Sequence, residues 1–292
     1  KMDLFIVLLL LLLGALIGFI SGLLGLGAGF ITVPALIYLL DYLGAPPNQS
    51  IKIAIGTSLF VIFLNSIAGA YKHSKHNNVI WKGSLCLGLF GIIGSIIGFK
   101  ISMNLGGELH QFIFGLLLII LSLNMVRNVY NEHKQEISRK NITNNKQNNN
   151  NDNYDTSIKH DYKSMGFIGI LAGVSSSIFG IGGGILIIPF LSNFLKYPIK
   201  KSIGTSTGMI VIISFFGLMG YILSPNELDT NSKVILDYLH LTGYVSLYVG
   251  LIMVISGILF SQIGAKFSNS SNSKILNMVF SMILLMSGIK MI

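Results

Sequence analysis

Apolar runs separated by short polar joints recur along the whole chain. Residues 4–24 carry no charged side chain, and neither do 53–71, 83–99, 111–126, 202–226, 241–265 or 275–289. Several of these runs reach the roughly 20 residues that cross a bilayer as a helix. The pattern predicts helices over 4–24, 30–43, 51–71, 80–101 and 108–127. A second set follows over 165–179, 185–196, 200–223, 240–264 and 273–291. The run 4–24 leads straight on without a small-x-small cleavage site, so it reads as a retained span and not a leader.

Both sets are interrupted at the same place. After the first segment of each, the apolar pattern gives way to dense glycine: Gly25-Leu-Gly27-Ala28-Gly29 before Phe30, and Gly180-Ile-Gly182-Gly183-Gly184 before Ile185. Each glycine costs a helix about 1 kcal/mol relative to alanine, so both segments are expected to break there. Pro34 and Pro189 stand at matching places in the short segments that follow, and are expected in their first turns. Further matches keep the order: Gly56-Thr57-Ser58 with Gly204-Thr205-Ser206, Lys52 with Lys200, and Gly69 with Gly217. The chain is therefore an internal duplication, with copies at 1–127 and 164–292. The stretch between, 128–163, is polar and rich in Asn and Lys, and is expected to be a disordered loop.

Composition fixes the solvent. The chain is 52% hydrophobic and 11% charged, with mean hydropathy +0.71. Soluble domains carry about 25% charged residues. The fold class expected is all-α: a polytopic integral membrane protein in the cell membrane. Each copy holds a glycine-broken helix pair and three further transmembrane helices. Charge orients the copies. If the loops 72–82, 127–163, 196–201 and 265–274 share one side, 15 of the 20 basic residues lie there. A parallel arrangement leaves no clear bias. The positive-inside rule thus favours inverted repeats with a cytoplasmic 128–163 loop. The net charge of +9 is mostly loop lysine, so it needs no nucleic-acid partner.

A helix that restarts inside a membrane leaves backbone N–H groups unpaired, with about half a positive charge at that end. Glycine lets a ligand approach the backbone closely, and broken helices at matching places mark the substrate site of many transporters. The candidate substrate-binding residues are Gly25, Gly27, Ala28, Gly29, Gly180, Gly182, Gly183 and Gly184, with the hydroxyls of Thr57, Ser58, Thr205 and Ser206. Asn65 lies two turns beyond Ser58 on roughly the same face. These groups suit a small oxyanion. Tight helix packing is the competing reading of the glycines, and bonds to their own helices the competing reading of the hydroxyls. Lys52 and Lys200 either draw anions toward the mouth or snorkel to headgroups.

The remaining chemistry is sparse. Asp and Glu fall only in loops or at the ends of predicted spans, as Asp41 and Glu108 do, so a carboxylate proton relay of the usual kind is absent. His73, His76, His110 and His240 lie near span ends, without Cys or acidic partners at metal-ligand spacing. The chain is expected to be no enzyme, with no cofactor or bound metal. The one cysteine, Cys86, allows no internal disulfide.

The doubled motif at 25–34 and 180–189, with Gly-Thr-Ser at 56–58 and 204–206, resembles the sulfite exporter TauE/SafE family, also called the 4-toluene sulfonate uptake permeases. Ala28 stands where that family commonly has glycine. The resemblance implies a multipass permease moving sulfite, a sulfonate or a related organosulfur anion. The coupling ion stays open between H⁺ and Na⁺: without a buried carboxylate, a proton would travel on the substrate, or Na⁺ would bind unwound carbonyls. An anion channel and a non-transporting membrane scaffold are the alternatives.

Overall fold

The structure is a computed structural model, describing residues 4–24, 29–142, 161–225, 239–267 and 273–292. Ten α-helices form among them: α1 Leu4–Leu24, α2 Gly29–Tyr42, α3 Pro47–Lys75, α4 Trp81–Asn104, α5 Gly107–Ile142, α6 Tyr162–Phe179, α7 Gly184–Pro189, α8 Ile199–Leu223, α9 Leu247–Phe267 and α10 Ser273–Met291. The molecule is an all-α, polytopic membrane protein. Four helices are long and apolar enough to cross a bilayer: α3, α4, α8 and the part of α5 from Gly107 to Asn124. Large apolar side chains stand exposed at helical spacing, such as Leu4, Leu8, Leu12 and Leu16 on α1 and Leu251, Ile255 and Leu259 on α9. Such surface has no cost only against lipid.

Four local features differ from the expectation. Pro34 lies in the second turn of α2, because the helix already starts at Gly29. Pro189 ends α7, and the chain continues as a five-residue π-helical segment, Phe190–Phe194. Proline has no N–H, so the carbonyl four residues earlier loses its partner, and the wider turn follows. A short antiparallel hairpin, Leu241–Thr242 with Val245–Ser246, precedes α9 and delays its start to Leu247. Gly243, with φ +59°, makes its turn. Finally, α5 runs on to Ile142, into the stretch expected to be loop. Residues 128–142 hold no Gly or Pro to end the helix. The rest of that stretch, 143–160, lies outside the described residues.

The chain divides into two compact units: Lys1–Gln111 with His160–Asn269, and Phe112–Lys159 with Ser270–Ile292. Neither follows a sequence half; each combines segments from both copies. In the first unit α1 packs on α9 and α4 on α6, the same exchange of partners between copies. Small residues let these pairs close up. A methyl on Gly94 would overlap the Ile170 carbonyl oxygen, and one on Gly18 the Gly257 carbonyl oxygen. Helices α3 and α8, the matching helices of the two copies, pack on each other and run antiparallel. Gly56 lies against Tyr221, Leu59 against Gly217, Phe63 against Phe215, and Gly69 against Thr207. Their shared seam forms the core, with Ile51, Ile55, Leu59, Met209 and Ile213 fully or almost fully enclosed. In the second unit α5 and α10 are also antiparallel. Gly115 lies against Gly288, and Ser122 donates to the Ser281 carbonyl at 2.7 Å.

Candidate functional site

The second glycine break is built by backbone that only glycine holds comfortably. Gly180, Gly182 and Gly183 have φ of +64°, +77° and +72°. An L side chain in that region costs roughly 1–2 kcal/mol. Gly180 terminates α6, its N–H donating to the Ser176 carbonyl at 2.8 Å, and Gly183 precedes α7. Of the first break, Gly25, Gly27 and Ala28 lie outside the described residues. Gly29 opens α2 and rests directly on the second break. A methyl there would overlap the Gly180 carbonyl oxygen and come within 2.7 Å of Ile181 Cα. The start of α2 thus meets the end of α6. Ile62 of α3 and Ile210 of α8, equivalent positions in the copies, both lie close to Gly182.

The motif hydroxyls are all buried, at 1% exposure or less. Ser58 donates to the Gly180 carbonyl at 2.8 Å, tying α3 of one copy to the break of the other. The two threonines do matching work. Thr57 Oγ1 accepts the Ser246 N–H at 3.0 Å, and Thr205 Oγ1 accepts the Ile80 N–H at 3.1 Å. Ser246 and Ile80 are the residues just before α9 and α4, so each threonine caps a helix of the opposite copy. An oxygen that accepts still has its own O–H to give. Two bonds reinforce these joints: Ser84 donates to the Thr205 carbonyl at 2.7 Å, and Ser246 Oγ accepts the Val249 N–H at 3.3 Å. Ser206 stands apart, because its Oγ is buried and has no hydrogen-bond partner among the described residues. Asn65 turns toward Gly257 of α9, and its Oδ1 is likewise buried and unpartnered.

Beside Thr57 lies a cavity of about 10 Å³, lined by Leu36, Leu40, Ala54, Ser246 and Val249 among others. It is water-sized at most. At Gly29 itself the fit is tight: a single added methyl would overlap the Gly180 carbonyl oxygen.

Sequence reading missed two features. A buried polar ladder joins α4, α6 and α8: Ser95 Oγ to Ser177 Oγ at 2.6 Å, Ser102 Oγ to Tyr221 Oη at 2.6 Å, and Tyr221 donating to the Ser177 carbonyl at 2.8 Å. Serines in membrane helices carry no sign of which face they take, so only packing reveals it. The other is His110, placed near a span end by sequence yet 0% exposed. Lys52, equally ambiguous in sequence, donates to the Met103 carbonyl at 3.1 Å and stands over the Tyr244 ring. Among the described residues no group of His, Cys, Asp and Glu could hold a metal ion.

The family model described as sulfite exporter TauE/SafE matches residues 10–291. The chain belongs to the sulfite exporter TauE/SafE family. It is 33% identical to a probable membrane transporter protein of Methanocaldococcus jannaschii, over 97% of this chain and 94% of that one. It is 31% identical to a probable membrane transporter protein of Haemophilus influenzae, over 82% and 83% of the two chains. A probable membrane transporter protein of Bacillus subtilis is 25% identical over 97% and 96%. No solved structure matches. As a TauE/SafE member the chain is a multipass membrane transporter and not an enzyme.

Proposed function

We propose that this transporter moves a small oxyanion, sulfite, a sulfonate or a related organosulfur anion, across the cell membrane by alternating access. The contact of Gly29 with Gly180 carries the reading. Gly29, which opens α2 after the first break, lies against Gly180 of the second, and on this reading an anion reaches the breaks as the two copies part. Backbone amides and the unpartnered Ser206 hydroxyl then become donors for its oxygens. The substrate class is drawn from the family's description.

Inverted repeats are part of the same proposal. Antiparallel packing of the matching helices α3 and α8 supports them, because copies inserted in the same direction would set these two helices parallel. The charge bias of the loops agrees.

Purified protein in proteoliposomes, offered sulfite, sulfoacetate, sulfate and thiosulfate under varied ion gradients, tests the reading. Saturable uptake with counterflow of at least one sulfur oxyanion is expected. Uptake without saturation or counterflow would make the protein a channel, and uptake of none of the panel would remove the substrate class.

A further inference from the structure

His110 is the one described histidine wholly enclosed by protein, at 0% exposure. Its Nε2 lies 2.7 Å from the Ile178 carbonyl oxygen. A carbonyl only accepts, so Nε2 carries hydrogen and donates. Nδ1 is buried and has no hydrogen-bond partner among the described residues. In the neutral ring Nδ1 is a bare lone pair. In the imidazolium it becomes a buried N–H with no acceptor, which is the costlier state.

The surroundings sharpen that contrast. From α3, Lys52 is the charged side chain whose field reaches the ring. From α6, the neighbours Ile178 and Phe179 are uncharged. The carboxylates of Asp41 and of Glu108, on the first turn of α5 itself, belong to exposed residues. The ring's anchor, Ile178, stands two residues before Gly180, where the second break begins.

We propose that His110 carries the coupling proton of transport, taking it at the Nδ1 lone pair while Nε2 keeps its bond to Ile178. The proposal rests on the transport reading above and deepens it by naming the coupling ion. The packed arrangement holds the neutral ring. Protonation becomes favourable once Nδ1–H finds an acceptor, and an anion's oxygen, or water admitted as the breaks part, is one. A second positive charge beside Lys52 in turn draws the anion. Proton and anion therefore each promote the other's binding, by equal amounts. No carboxylate relay is needed.

Gln places an amide N–H near the position of Nε2 but does not take up a proton. H110Q is therefore compared with wild type in proteoliposomes, using sulfite or whichever panel anion wild type exchanges. Counterflow at equal pH reads substrate movement alone. Accumulation under an acid-outside gradient reads coupling. Wild type is expected to accumulate substrate up to about tenfold per pH unit, the limit for one proton moved with one negative charge. H110Q is expected to need more substrate for half-maximal counterflow, to retain counterflow at saturating substrate, and to lose accumulation. Accumulation by H110Q equal to wild type would overturn the proposal, as would wild-type accumulation that follows Na⁺ and ignores pH. H110N is the second variant, should H110Q fold poorly. Loss of counterflow in both, with protein still monodisperse, would assign His110 to packing and overturn the proposal. If wild type itself shows no counterflow with any anion, the transport reading fails, and the proton site falls with it.

Discussion

Ser58 donates its hydroxyl to the carbonyl of Gly180 across 122 positions of sequence, at 2.8 Å. Gly180 sits in the left-handed region at the end of α6, so the bond fixes the second glycine break to the first copy's long helix. Both groups are buried. Ser58→Ala would leave that carbonyl without its side-chain donor, at a cost of about 1–3 kcal/mol. The variant is expected to unfold at a clearly lower temperature than wild type, read by the thermal loss of monodisperse protein in detergent. An unchanged melting temperature would mean the break is held by something else.

Thr57 and Thr205 are expected to behave as structural acceptors first. Each takes the N–H ahead of a helix in the opposite copy, from Ser246 and Ile80. Thr→Val keeps the shape and strands a buried donor. A loss of about 1–3 kcal/mol is expected for each, with transport falling in proportion to folded protein. Thr57→Ser and Thr205→Ser keep the oxygen and should restore stability. Weakened substrate affinity in well-folded Thr→Val protein would instead place these hydroxyls on the anion.

Much of this was legible in the sequence, and the limits have physical causes. Apolar run length located the helices, since a bilayer demands uniform apolarity. Glycine density located the second break, because no other residue cheaply holds the φ of +64° to +77° found at Gly180, Gly182 and Gly183, whereas Gly25–Ala28 of the first lie outside the described residues. Equivalence of Thr57 with Thr205 was legible from the duplication; what each hydroxyl bonds was not. Ile80 and Ser246 are brought to them by packing across 125 and 189 positions. The end of α5 was misread because Asn-rich composition hides a stretch free of Gly and Pro. His110 looked peripheral because sequence position near a span end says nothing of lateral burial.

The contact between breaks predicts a steep size limit. Any side chain at Gly29 collides with the Gly180 carbonyl and the Ile181 backbone, neither of which can rotate away. Gly29→Ala should abolish transport and lower expression of folded protein. Gly69 also lies on the α3–α8 seam, yet a methyl there would meet only Thr207 Cγ2, at 3.1 Å. Gly69→Ala is expected to cost little. Comparable behaviour of the two variants in transport and thermal assays would argue against a specific role for the meeting of the breaks.

Topology gives a direct test of inversion. Lys75 ends α3 and Ser224 follows α8, so they occupy matching places in the two copies. In a Cys86-free background, Lys75→Cys and Ser224→Cys should react with a membrane-impermeant maleimide from opposite faces, Lys75→Cys from the cytoplasm. Labelling of both from one face would make the repeats parallel.

Ser206 supplies the sharpest separation of binding from folding. It holds in α8 the place that Ser58 holds in α3, yet its hydroxyl is buried with no partner among the described residues, whereas Ser58 is fully engaged. Burying an unpaired hydroxyl costs free energy, so its removal should not destabilise the fold. Ser206→Ala is expected to melt at or slightly above the wild-type temperature, opposite in sign to Ser58→Ala. If the hydroxyl is kept as a donor for the anion, its loss removes a charge-assisted bond of about 1.5–3 kcal/mol. The apparent KM should then rise by roughly tenfold or more. A titration of uptake against substrate concentration, run beside thermal melts on the same preparations, reads both quantities. A Ser206→Ala protein with wild-type KM would leave anion recognition to backbone amides alone. A Ser206→Ala protein that melts early would show that the hydroxyl bonds within the fold.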